Sequence, residues 1–422
     1  MPLSRRDFNK SATLLAAAAI LPLHARAADP MRTLRAGVIG CGGRGTGAAV
    51  DFLSAHPATE IIALADVFPD RLNSALSNLQ SLGDERASRV KIPVSSTFTG
   101  FDAWQHLIAL PQVDVVILAT PPHFRPQHFH AAAQAGKHVF MEKPVAVDPA
   151  GVRKVLEASA IADQKKLSVV CGTQRRHEKC YLSLMDRIHR GDIGKVVSAR
   201  CYWNQGGLWM HPRKPEWSDM EWQLRNWLYF AWLSGDHIVE QHVHNLDVMN
   251  WAIGSHPLKC TAMGGRQVRT DPAYGHVFDH FAVEYEYPGG VTGHSFCRQI
   301  DGCAGRVEEV VEGTRGRATS TSGRARIDGD NAWVFDGENG NPYVHEHVDL
   351  VSSILTNNPV NEGVRIAEST LTAIMGRMSA YTGKAVTWDQ ALNSALDLTP
   401  PAYAFGPLPV APVPIPGRTP LT

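Results

Sequence analysis

Leu34-Arg35-Ala36-Gly37-Val38-Ile39-Gly40-Cys41-Gly42-Gly43-Arg44-Gly45 is the stretch that decides the fold. Its first half is a short apolar run ending in Gly, the pattern of a buried strand. Its second half fits G-x-G-x-x-G, and Thr46 to Ala55 reads as a helix. Strand, Gly-rich turn and helix in that order are the context in which this pattern holds a dinucleotide. Gly40 allows the tight turn, Gly42 lets the backbone approach a pyrophosphate, and Gly45 lets helix and strand pack closely. Gly43 and Arg44 complete the loop. The helix N-terminus offers unpaired N–H groups and a positive dipole to the phosphates.

Outward from this stretch, Glu60 to Asp66 reads as a second strand. Asp66 closes it, where a carboxylate accepts hydrogen bonds from the adenosine ribose and repels a 2′-phosphate, so NAD is expected rather than NADP. Val113 to Ala119, Lys137 to Met141 and Leu167 to Cys171 are further strands. Helical stretches, including Phe129 to Ala135 and Val152 to Ala162, lie between them. Alternating strands and helices predict an α/β Rossmann domain over residues 32–173, a doubly wound parallel sheet. In such sheets ligands lie at the strand ends. Thr120 and Pro121 close one strand and border the nicotinamide side. Glu142 and Lys143 close another, with Lys143 aimed at the same crevice.

The pattern changes after about Thr173. Lys195 to Gln205, Val277 to Tyr287 and Val291 to Gln299 are longer, partly alternating strands, and Pro288-Gly289-Gly290 reads as a hairpin turn. Helices are expected over Glu240 to Ile253 and Arg365 to Tyr381. These elements predict an α+β domain over residues 174–400 with a large, mostly antiparallel open sheet. Residues 401–422 are a Pro-rich tail, expected to be an extended arm, disordered or lying on a neighbour.

The N-terminus reads as an export signal. Ser4-Arg5-Arg6-Asp7-Phe8-Asn9-Lys10 resembles a twin-arginine motif, Ala12 to Leu23 is a short apolar stretch, and Ala25-Arg26-Ala27 fits a cleavage site. A signal over residues 1–27 makes the mature protein periplasmic. The apolar stretch is too short to span a bilayer comfortably, and no later stretch looks like a membrane span. Formal net charge is zero, which argues against a nucleic-acid partner. The seven Cys are odd in number and lack C-x-x-C pairs, so ordinary buried thiols are expected rather than a disulfide framework.

Further motifs resemble the Gfo/Idh/MocA oxidoreductase family. They are Ala119-Thr120-Pro121, Ala135-Gly136-Lys137-His138-Val139, Glu142-Lys143-Pro144, Cys171-Gly172-Thr173-Gln174-Arg175-Arg176 and Gly191-Asp192-Ile193-Gly194-Lys195-Val196-Val197. The family also carries an acidic residue four positions before a His, matched here by Glu240 and His244. Positions i and i+4 share a helix face, so both point into one pocket. Family members usually have Asp where Glu240 stands, and many have His where Arg125 stands and Asn where Pro122 stands.

The resemblance implies hydride transfer between nicotinamide and a hydroxyl-bearing carbon of a sugar, glycoside or cyclitol. His244 is then the general base, Lys143 stabilises charge on the substrate oxygen, and Glu240 orients the substrate. Arg176, His242 and Asn245 are expected to touch substrate, and the cofactor is expected to contact Gly40, Gly42, Gly43, Arg44, Gly45, Asp66, Thr120, Pro121, Glu142 and Lys143. A homodimer or homotetramer through the open sheet is also implied. No metal is expected, since Glu240 and His244 lack a third ligand and His242 diverges from His244 by about 200° on a helix. Most of the Trp residues between Trp203 and Trp232 are expected in the core, some as stacking faces for sugar rings.

Two other functions fit the same residues. One is an NAD-dependent glycosidase, in which oxidation, elimination, hydration and reduction give net hydrolysis. The other is a non-catalytic dinucleotide-binding relative, against which Lys143 and His244 argue. An exported enzyme lacks a cytoplasmic NAD pool, so a tightly held, recycled cofactor is expected.

Overall fold

The computed structural model describes residues 32–422; the signal expected over residues 1–27 lies outside them. Six strands form the first sheet: β1 (Leu34–Ile39), β2 (Thr59–Asp66), β3 (Thr97–Thr99), β4 (Val115–Leu118), β5 (His138–Met141) and β6 (Val169–Cys171). Their order is β3-β2-β1-β4-β5-β6 and every pair is parallel. The four residues of β4 are all buried, as both faces of the sheet are covered by helices and the strand needs no polar alternation. The helices here are α1 (Gly43–Ala55), α2 (Pro69–Gln80), α3 (Ala103–Ile108), α4 (Arg125–Gln134) and α5 (Pro149–Gln164). Strand order reverses between β1 and β4, which opens a crevice at their C-terminal ends.

The second sheet has nine strands in the order β14-β13-β12-β11-β7-β10-β9-β8-β15. They are β7 (Val196–Gln205), β8 (Lys259–Gly265), β9 (His280–Glu286), β10 (Thr292–Gln299), β11 (Arg306–Gly313), β12 (Gly316–Thr321), β13 (Arg324–Gly329), β14 (Trp333–Val334) and β15 (Val386–Thr387). Only β7 and β10 pair in parallel. The hairpin at 288–290 joins β9 to β10 as its Pro-Gly-Gly predicts. Phe281, Val283 and Tyr285 of β9 alternate inward. The helices of this half are α6 (Lys179–His189), α7 (Asp219–Arg225), α8 (Ala231–Ser234), α9 (His237–Glu240), α10 (Val243–Ile253), α11 (Pro342–Leu355), α12 (Gly363–Thr382) and α13 (Trp388–Leu392). Helix α12 lies hard on the sheet, since a Cβ on Gly376 would come within 2.6 Å of the Tyr285 hydroxyl.

Three features depart from the sequence reading. The helix expected over 240–253 is two helices with Gln241 and His242 between them. The chain turns there because the His242 N–H bonds to the His237 carbonyl while its buried imidazole meets Ser295 Oγ at 2.8 Å. Helix α11 returns to the first domain and buries Leu350, Val351, Ile354 and Leu355 in the cluster that holds Phe52 and Leu53 of α1. The Pro-rich tail is extended and without helix, as expected, but it packs on its own chain. The Gly417 N–H bonds to the Thr382 carbonyl, and Phe405 lies against Phe68 and Phe101.

Candidate active site

A cleft of about 680 Å³ lies at the switch point and runs between the two domains. The Gly-rich loop forms one wall. Gly40 has φ +96°, and a Cβ there would sit 2.6 Å from the Thr120 nitrogen. A Cβ on Gly45 would fall 1.8 Å from the Gly40 carbonyl oxygen, so α1 can approach β1 only without a side chain. Gly42 and Gly43 differ: nothing lies within 4 Å of a Cβ at either, because both face the open cleft. That is the surface a pyrophosphate requires, at a helix N-terminus with free N–H groups.

Asp66 accepts the Cys41 N–H at 2.6 Å and the Phe68 N–H at 2.8 Å, which fixes its carboxylate at the cleft wall. Burial raises its pKa, and these two N–H groups partly offset that. A carboxylate has about four lone-pair sites, so acceptor capacity remains for ribose hydroxyls. Arg44 also lines the cleft. Its guanidinium is 2.9 Å from Asp51 and 2.8 Å from Glu142, and it lies over the Tyr343 ring. Glu142 therefore holds the Gly-rich loop in place as well as flanking Lys143.

At the inner end of the cleft Lys143, Glu240 and His244 come together. Lys143 Nζ donates to the Glu240 carbonyl at 2.6 Å and to its carboxylate at 3.1 Å. His244 stands in the first turn of α10 with its ring stacked on Trp203 at 5.8 Å, and its Nδ1 is buried without a partner. Burial lowers its pKa well below the usual range, and the charges of Lys143 and Arg175 act in the same direction. Both effects favour the neutral imidazole, whose Nδ1 has no partner. Glu240 and His244 share the cleft, though not by the predicted route: they sit on separate helices across the turn at Gln241. Thr120 and Pro121 line the cleft as expected, and Thr120 Oγ1 is buried without a partner.

Arg176, His242 and Asn245, expected to touch substrate, do not line the cleft. Arg176 pairs with Asp247 at 2.8 and 3.0 Å and lies 4.3 Å over the Trp251 ring. His242 is fully buried against Ser295 and Cys201. Asn245 donates to Glu309 at 2.6 Å and to the Tyr202 carbonyl at 3.1 Å. Each has polar partners inside the second domain, away from the cleft lining.

The sequence reading missed other cleft residues. Gln174 belongs to the Cys171–Arg176 motif, and its Oε1 is buried in the cleft with no partner. Gln241 lies between Glu240 and His242 and lines the cleft too. Arg125 is buried and donates to the Pro144 carbonyl at 2.5 Å and the Thr120 carbonyl at 2.7 Å, tying together the loops after β4 and β5. Burial lowers its pKa to about 10. Trp222 and Trp232 are core residues, whereas Trp209 and Trp227 face the cleft. Among the described residues no group of three or more His, Cys, Asp or Glu could hold a metal ion.

An all-parallel sheet with a glycine loop at its switch point, joined to a domain built on a large mixed sheet whose helices and loops complete the cleft, defines a two-domain dinucleotide-binding oxidoreductase fold. A family model for the oxidoreductase family with NAD-binding Rossmann fold matches residues 34–171, and one for the GFO/IDH/MocA C-terminal domain matches residues 181–319. Together they match well over half of the chain, which belongs to the Gfo/Idh/MocA family. The inositol 2-dehydrogenase of Salmonella typhimurium is 28% identical over 225 residues, 52% of this chain and 55% of that protein. A glycosyl hydrolase family 109 protein of Porphyromonas gingivalis is 26% identical over 193 residues, 44% of this chain and 36% of that one. The chain spans about half the length of the curated relatives it matches. Among solved structures, levoglucosan dehydrogenase in complex with NADH and levoglucosan superposes with a TM-score of 0.67 at 17% identity, over 84% of this chain and 99% of that one. The aldose–aldose oxidoreductase of Caulobacter crescentus gives 0.66 at 19%, over 84% and 100%. Both share the fold.

Proposed function

We propose that the protein is an NAD-dependent oxidoreductase acting on a hydroxyl-bearing carbon of a sugar, glycoside or cyclitol. The observation that carries this reading is the meeting of Lys143, Glu240 and a neutral His244 at one end of a cleft whose other wall is the Gly40–Gly45 loop. NAD bound there supplies the hydride acceptor. Its phosphates fit the open backbone at Gly42 and Gly43, its adenosine ribose fits Asp66, and Thr120 and Glu142 flank its far end. Lys143 donates a hydrogen bond to the reacting substrate oxygen and stabilises the negative charge that develops there. His244 takes the hydroxyl proton as the carbon gives up hydride. Glu240 fixes the Lys143 ammonium and offers its remaining oxygen to a neighbouring substrate hydroxyl. Relatives named inositol 2-dehydrogenase support a cyclitol or sugar substrate.

A second reading, net glycoside hydrolysis with NAD recycled within one turnover, is favoured by the glycosyl hydrolase family 109 relatives, one of them 32% identical over 130 residues. One experiment separates the two. The purified mature chain is incubated with free sugars and cyclitols plus NAD, and separately with aryl glycosides and no added cofactor. NADH accumulation in the first arm supports the oxidoreductase. Aglycone release without net NADH in the second supports the hydrolase. Silence in both arms with NAD bound leaves a non-catalytic relative.

The Arg5-Arg6 motif supports export to the periplasm by the twin-arginine route, and cell fractionation tests it. The open face of the large sheet supports pairing of two copies: Met263, Phe296 and Tyr202 fall in one cross-strand row, and Met263 and Phe296 are exposed. Sedimentation of the wild type against Phe296→Glu tests that pairing.

A further inference from the structure

The outer end of the cleft is walled by parts of the chain that the proposed reaction does not use. Phe68 and Arg71 follow Asp66 on the Rossmann rim, and Phe101 stands beside them; all three line the cleft. Arg225 at the end of α7 reaches them from the second domain. Its guanidinium donates to Asp70 at 3.0 and 3.2 Å and lies 4.0 Å over the Phe68 ring. Trp209, His211 and Trp227 complete this wall.

The tail runs across the same rim. It is anchored before the rim where the Leu398 N–H bonds to Asp148 at 2.8 Å, and beyond it where the Gly417 N–H bonds to the Thr382 carbonyl. Between these anchors the Tyr403 hydroxyl meets His123 Nε2 at 2.8 Å. The Phe405 ring stacks on Phe68 with centroids 5.9 Å apart and meets Phe101 at 5.1 Å. The chain then fastens to α7. The Gly406 carbonyl accepts the Met220 N–H at 3.1 Å, the Leu408 N–H bonds to Asp219 at 3.1 Å, and Gln223 donates to the Leu408 carbonyl at 2.7 Å. Phe68 thus contacts both the tail and Arg225. Phe405 is 50% exposed, so its contact is shallow enough to open without disturbing the core.

We propose that residues 403–408 are a strap over the adenosine end of the dinucleotide cleft, and that cofactor enters and leaves only when the strap lifts from Phe68 and Phe101. The strap slows exchange without touching the reacting atoms. This rests on the NAD reading above. It supplies what an exported enzyme of this class needs: a cofactor taken up once and kept. The test loads the mature protein with radiolabelled NAD, removes the excess by gel filtration, and follows loss of label during a chase with unlabelled NAD. Three chains are compared: the full mature chain, Phe405→Ala, and a chain ending at Pro400. Label is expected to leave both altered chains about tenfold faster or more, the scale set by losing aromatic contacts that oppose release. Thermal melts identify any chain that does not fold, in which case Phe405→Ala decides. Equal, slow loss from folded variants and the full chain overturns the strap and leaves the cofactor reading standing. No label on the full chain, together with no NAD released from it on denaturation, overturns the cofactor reading itself.

Discussion

The Lys143 ammonium, carried by the loop after β5, reaches the second domain and donates to both the main-chain carbonyl and the carboxylate of Glu240. This contact holds the Lys143 side chain at the cleft. Lys143→Met should lower kcat by roughly 10²–10³-fold, as expected when one donor to a developing oxyanion is lost. NAD binding, read by fluorescence titration, should change little. Retained turnover would remove Lys143 from the mechanism.

His244 gives a pH prediction with a definite sign. Its folded pKa lies well below 6.5, first through burial and then through the charges of Lys143 and Arg175. The neutral base therefore persists as pH falls, and kcat/KM should show no acid limb from this residue between about pH 8 and about pH 6. An acid limb near the ordinary His value, absent in His244→Asn, would contradict the assignment. The variant itself should lose roughly 10²–10⁴-fold in kcat.

The sequence made the Gly40–Gly45 loop legible because its first and last glycines answer local steric demands, while Gly42 and Gly43 leave the backbone open to the cleft. It also brought Glu240 and His244 to one cleft, but through a single helix face that the structure does not contain. The break at Gln241 depends on His242 meeting Ser295, a partner 53 residues away, and no local pattern reports that. Arg176, His242 and Asn245 looked like site residues for the same reason: their partners Asp247, Ser295 and Glu309 belong to other elements or later turns. Helix α11 escaped notice because the fully buried Glu346 and His347 interrupt its apolar stripe. The docking of the tail depends on Phe68, Phe101, Asp219 and Gln223, which only the assembled fold brings together.

Arg125, standing where many relatives have His, is a structural tie as well as a cleft residue. It satisfies the carbonyls of Pro144 and Thr120 from a buried position. Arg125→Ala leaves both carbonyls short of a donor and should cost about 1.5–3 kcal/mol, the range for hydrogen bonds to charged groups. Urea denaturation measures it. Full stability in the variant would show that water replaces the guanidinium without penalty.

Asp66 should set cofactor choice. Asp66→Ala removes the ribose acceptor and the charge that repels a 2′-phosphate, while nearby Arg71 remains in the cleft wall. NAD affinity should fall by about tenfold or more, one lost charged hydrogen bond being worth about 1.5–3 kcal/mol. NADP affinity should rise relative to NAD. Calorimetric titration with both dinucleotides decides it, and an unchanged ratio would take the ribose role from Asp66.

His177 ties the start of the second domain to α11 and to the residue before α12, and should make stability depend on pH. It contacts Asp349 of α11 at 2.5 Å and stands 3.6 Å from Glu362, just before α12. Burial favours its neutral form, yet these two carboxylates outweigh burial and raise its pKa to about 9. A His whose folded pKa exceeds its unfolded value of about 6.5 stabilises fully below the lower value. That contribution is lost progressively as pH rises through about 9. Wild-type melting temperature should therefore fall between neutral pH and the folded pKa more steeply than that of His177→Asn, which keeps a polar side chain but cannot titrate. Parallel slopes for the two proteins across that window would mean that the carboxylates of Asp349 and Glu362 do not hold the imidazolium.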